Sequence, residues 1–157
     1  MAHRKIDIDA FDEDRLNEED LYYFATGDTP RSPAEIDASV RTTEQEVRAL
    51  LSRGNHSDAL IKALQNPPYG PCDKSIKLRA VQTVYETLSQ FPPADASTAV
   101  KQLSREQQDL LMKYLYAGMA APEHFNSALL LTWHEKLTEV AGNGCIVRVF
   151  TDRRTVF

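Results

Sequence analysis

The sequence lacks the marks of an active site. It has no GxSxG elbow, no Walker A loop and no dinucleotide GxGxxG. Gly142-Asn143-Gly144 supplies only a GxG, and it follows a helical segment rather than a strand, so it reads as a helix stop. His134-Glu135 opens like a zinc-protease HExxH, but the fifth position is Thr138, which removes one of the two helix ligands. His3, His56 and His124 are scattered and share no ligand spacing with a carboxylate or a cysteine. Catalysis, metal binding and cofactor binding therefore have no support, and the expectation is no enzyme and no cofactor.

Other scarcities narrow the class further. Apolar runs are only a few residues long, far short of the ~20 that cross a bilayer. The opening Met-Ala-His-Arg-Lys-Ile-Asp-Ile-Asp has no apolar core of a signal peptide, which predicts a protein that stays in the cytoplasm. The chain holds two cysteines, Cys72 and Cys145, far apart and without a CxxC pairing. They are read as free thiols, with Cys145 buried and inert beside Ile146. Basic residues are not in excess: 18 Lys and Arg face 23 Asp and Glu. The imbalance is local. Residues 1–31 hold nine acids against four bases, a net of −5 that equals the net of the whole chain, so residues 32–157 are neutral overall. An acidic arm on a neutral body argues against nucleic acid and against an anionic membrane, and favours a basic or mixed protein surface.

What is present is helix. With 157 residues the chain is sized for one domain. Residues 1–31 show no sustained helical period and form an extended or disordered N-terminal arm. Alternation in Ile6-Asp7-Ile8-Asp9 turns Ile6 and Ile8 to one side, and Phe11 follows. Residues 32–157 form the α-helical domain. Ser32-Pro33-Ala34-Glu35 is a capping box with proline in the first turn, and Gly54 ends that helix. A short helix carries Leu60, Ile61 and Leu64. Asn66-Pro67-Pro68-Tyr69-Gly70-Pro71 is a rigid loop, with Tyr69 expected to pack over a helix end. Asp73 caps a long helix to about Phe91, and a short helix follows through Val100 and Leu103.

Ser104-Arg105-Glu106-Gln107 repeats the capping pattern and opens the helix on which the chain is organised. Leu110, Leu111, Met112, Tyr114, Leu115, Tyr116 and Met119 surround its axis, which is the pattern of a central helix with neighbours on several sides. The next helix, from about Glu123 to Val140, has one broad stripe of Leu129, Leu130, Trp133, Leu137 and Val140. Cys145–Phe150 has strand propensity, but no second strand exists to pair with it, so it is read as a last short helix. About seven helices result, in an all-α antiparallel array with an extended acidic arm. Trp133 is expected in the core. The central helices carry more apolar surface than one thin layer hides, which points to a protein contact. Tyr114, Tyr116 and Met119 are the candidates for it on the body, and Ile6, Ile8 and Phe11 on the arm.

Several long blocks carry a resemblance. Leu110–Met119, Leu129–Leu137, Ala141–Val149, the tail Thr151–Val156 and the head Lys5–Asp9 resemble the smallest subunit (subunit five) of the actin-related protein 2/3 complex. The likeness is loose between about Glu18 and Asp73. It implies an all-helical, non-catalytic structural subunit of the assembly that nucleates branched actin filaments. It further implies a body that docks on the propeller subunit and subunit four, an arm that tethers the second actin-related protein, and a place in cortical actin networks or patches. A free-standing helical adaptor, with a groove for a peptide or helix, is the alternative.

Overall fold

The computed structural model describes residues 31–92 and 95–156. The arm, with Ile6, Ile8 and Phe11, lies outside the described residues apart from Arg31, whose side chain donates to the Pro67 carbonyl at 2.7 Å. Seven helices occupy the described residues in chain order: α1 Pro33–Ser52, α2 His56–Ala63, α3 Lys74–Ser89, α4 Ala96–Gln102, α5 Arg105–Met119, α6 Ser127–Ala141 and α7 Asn143–Thr151. The all-α reading holds, and Cys145–Phe150 is helical within α7.

Local chemistry explains most of the boundaries. Ser32 Oγ accepts the Glu35 N–H while Glu35 Oε2 accepts the Ser32 N–H at 2.8 Å, so two orphan donors of α1 are satisfied together. Ser104 and Gln107 do the same at the start of α5. Asp73 occupies the cap of α3, but its side chain makes no capping bond; its carbonyl accepts the Ile76 N–H instead. Gly142, at φ +71°, separates α6 from α7 in a backbone region that side-chain-bearing residues rarely enter. Two boundaries differ from the sequence reading. α6 begins at Ser127 rather than Glu123, because Phe125 is buried in the preceding turn against the Tyr85 ring, and Asn126 then caps the helix. α7 begins at Asn143, two residues earlier than expected.

The helices pack in sequence-adjacent groups. α1, α2 and α3 contact one another, α5 bridges α3, α6 and α7, and α4 lies on α6. Ion pairs tie the first group: Arg79 of α3 meets Asp37 of α1 at 2.6 Å, and Lys62 of α2 meets Glu46 of α1 at 2.8 Å. α5 is the middle element. Its six consecutive residues Leu110–Leu115 are all buried, as its all-round apolar pattern requires. Gly118 lets α6 approach closely, since a Cβ there would stand 2.9 Å from Leu130 Cδ1. α6 buries one stripe, Leu130, Trp133 and Leu137, and the Trp133 ring meets Phe91 edge-on at 5.3 Å.

Candidate partner-binding surface

α7 and the tail after it are fastened to α5 by charge. Arg148 donates to both carboxylate oxygens of Asp109 at 2.6 Å, the bidentate geometry that gives guanidinium–carboxylate pairs their strength. On Asp109, burial pushes the carboxyl up, but the Arg148 bonds outweigh it and hold the group below its ordinary range. Just beyond, the chain leaves the helix at Asp152 and continues without regular structure to Val156, which is buried.

Lys113 holds this tail. It is the one charge inside the buried run of α5, and only 7% of it is exposed. A buried ammonium needs acceptors, and three converge on Nζ: Asp152 Oδ2 at 2.7 Å, the Arg154 carbonyl at 2.8 Å and the Tyr69 hydroxyl at 3.3 Å. Lys113 and Arg154 both also lie over the Tyr69 ring, at 4.9 and 5.1 Å from its centroid. Tyr69 thus packs at a helix junction, joining the proline loop, α5 and the tail. For Asp152, burial acts to raise the carboxyl pKa, yet hydrogen bonds from Arg154 and Lys113 bring it to about 2.

The fastening leaves an uncharged outer face. With Arg148 turned onto Asp109, α7 exposes Asn143, Gly144, Val147, Phe150 and Thr151, none of them ionisable. Phe150 is 72% and Val147 60% exposed, and Leu131 of α6 is 57% exposed. Tyr116 of α5 completes this face. Its ring lies 5.2 Å from Phe150 and 5.6 Å from His134, and its hydroxyl is 3.2 Å from His134 Nε2. An open groove runs beside it, between α5, the end of α7 and the tail.

The sequence-expected body residues divide. Tyr116 and Met119 are half-buried and reach the surface. Tyr114 does not: its ring is 3% exposed and faces the α1 and α3 side with Val40 and Ala80, so in this chain it is core. Helical geometry explains the split, because 114 and 116 stand about 200° apart on an α-helix. Val147 and Phe150 were not singled out by sequence; their three-residue spacing on an uncharged stripe was the available signal. Cys145 is buried, and burial, reinforced by the Asp109 charge, pushes its thiol up to about 12. Cys72 is likewise raised, chiefly by burial. Neither cysteine has the electropositive setting that makes a nucleophilic thiolate. No cluster of three or more His, Cys, Asp or Glu able to hold a metal occurs among the described residues.

The sequence matches the family model described as ARP2/3 complex 16 kDa subunit (p16-Arc) over residues 2–156. It is 38% identical over 154 residues to an actin-related protein 2/3 complex subunit 5-like protein of Bos taurus, covering 98% of this chain and 94% of that one. It is 38% identical over 153 residues to subunit 5-C of Xenopus laevis, covering 98% and 93%. It is 37% identical over 131 residues to subunit 5 of Dictyostelium discoideum, covering 83% and 94%. A helical body without a catalytic constellation among its described residues, an uncharged apolar face and a match across nearly the whole chain agree, and the chain belongs to the p16-Arc family of ARP2/3 complex subunits.

Proposed function

We propose that this chain is a non-catalytic structural subunit of the actin-related protein 2/3 complex, which nucleates branched actin filaments. The observation that carries the reading is the family match from residue 2 to 156. The exposed Phe150 and Val147 of α7 support it, since large apolar side chains on an uncharged face favour a protein contact. The helical body docks on the propeller subunit and subunit four, with Tyr116 and Met119 among its contacts. The acidic arm, through Ile6, Ile8 and Phe11, tethers the second actin-related protein. Tethering acts by effective concentration: a second point of attachment raises the local concentration of its target without adding any contact at the nucleating centre. The polymerisation chemistry belongs to the two actin-related subunits, and the setting is the cytoplasmic actin cytoskeleton.

Two measurements test this. Tagged chain purified from its native cell in high salt is expected to co-elute with the other subunits; elution as a lone species would favour the adaptor reading. Deleting residues 1–15 is expected to leave the helical body folded while weakening nucleation by the reconstituted complex. Unchanged branched assembly by the truncated complex would remove the tethering role.

A further inference from the structure

We propose that Ser32 is a phosphorylation site for a proline-directed kinase, and that its phosphate draws the Arg31 guanidinium off the Pro67 carbonyl at the root of the arm. The consequence for the assembly rests on the tethering role proposed above; the site itself does not. Ser32-Pro33 and Thr29-Pro30 are the two Ser/Thr-Pro pairs of the chain, and Ser32 is the one among the described residues. The proline after it holds Ser32 out of the helical region, at φ −68° and ψ 153°. A kinase cleft takes its substrate extended, and one that offers the next amide no acceptor favours proline, which has no N–H to strand. Ser32, Pro33, Ala34 and Glu35 are all exposed, and the first buried side chain of α1 is Ile36. The hydroxyl is therefore accessible, and a kinase need open no more than the exposed first turn, where helix ends fray.

ATP supplies the phosphoryl group. Ser32 Oγ forms a bond to the γ-phosphorus, the bond from that phosphorus to the bridging oxygen breaks, ADP leaves, and the hydroxyl proton passes to the kinase's base. The product changes the start of α1. In the unmodified chain Glu35 Oε2 accepts the Ser32 N–H at 2.8 Å and the Ser32 hydroxyl at 3.0 Å. Phosphorylation removes that hydroxyl proton and sets a charge of about −1.5 to −2 against the Glu35 carboxylate, which is repelled from the box. The phosphate oxygens accept the first-turn N–H groups at the positive end of the helix dipole, so α1 keeps its start. Arg31 is the neighbouring cation. Its charge already reaches this helix end: the Ser32 bonds, and after them Arg31, hold the Glu35 carboxyl below its ordinary range. Arg31 Nη2 donates to the neutral Pro67 carbonyl at 2.7 Å, and a phosphate is the stronger acceptor for a guanidinium. The exchange of acceptors unfastens the arm root from the proline loop.

Full-length chain is incubated with a mitogen-activated protein kinase and ATP, and the phosphate is located by mass spectrometry. It is expected on Ser32, and at tenfold or more lower extent in Pro33→Ala; transfer that spares Ser32 would overturn the site. Hydrogen exchange is then followed at the Tyr69 amide, which donates to the same Pro67 carbonyl at 2.8 Å. Exchange there is expected to rise several-fold in the phosphorylated chain, and unphosphorylated Arg31→Ala is expected to match it. Unchanged exchange after complete phosphorylation would overturn the release of Arg31. In complex reconstituted with the phosphorylated chain, nucleation is expected to fall at least twofold, and unchanged nucleation would overturn the regulatory role. A wild-type chain that enters no assembly would instead overturn the subunit reading and not the Ser32 site.

Discussion

At the scale of single residues, the same side-chain types take opposite roles according to their surroundings. Trp133 is 2% exposed and packs edge-on against Phe91, whereas Phe150 is 72% exposed. Trp133→Ala is expected to cost about 3–5 kcal/mol by denaturant unfolding, from lost transfer energy and the cavity left behind; an unshifted midpoint would move Trp133 out of the core. Asp152 gives a pH signature. Its folded-state pKa of about 2 lies below the ordinary 3.8, so its contribution to stability is fully present above pH 4 and is lost as the pH falls from there toward 2. The carboxylate is partly solvated, so the effect is modest. Thermal melts of wild type and Asp152→Asn are expected to differ at pH 6 and to converge near pH 2.

At the scale of elements, the ends of the helices were written in local sequence. Ser32 with Glu35 and Ser104 with Gln107 form the capping boxes that their spacing predicts. Ser104→Ala is expected to cost about 1 kcal/mol in a thermal melt, because the Gln107 N–H loses its acceptor at the start of the central helix. The start of α6 was not legible in the same way. The sequence reads as helix from about Glu123, yet burial of Phe125 against Tyr85 keeps that stretch out of the helix. Strand propensity in Ile146-Val147 was likewise overruled by tertiary context. Cys145 is buried against the central helix with its thiol 3.7 Å from the Gln108 carbonyl, and Arg148 reaches Asp109; both contacts suit a helical repeat.

At the scale of the molecule, one helix serves two surfaces. The face of α5 bearing Tyr114 closes the core toward α1 and α3, and the face bearing Tyr116 belongs to the outer side with His134 and Phe150. The body therefore folds around α5 while an apolar, uncharged face stays outside. Removing residues 1–15, which leaves the Arg31 bond to Pro67 in place, is accordingly expected to leave the melt of the body unchanged and to act on complex function alone, which separates folding from tethering.

The sequence by itself determined the helical class, the number of the helices, the capping boxes of α1 and α5, the central position of α5 and the family, because these follow from periodicity, capping chemistry and long matching blocks. Tertiary structure alone decided which tyrosine is core and which is surface, and that Lys113 clasps Asp152 and the Arg154 carbonyl across about 40 residues of chain. The reason is distance. Periodicity and capping act within a few residues, whereas a buried ammonium finds its acceptors only after the helices have packed and the tail has been laid against them.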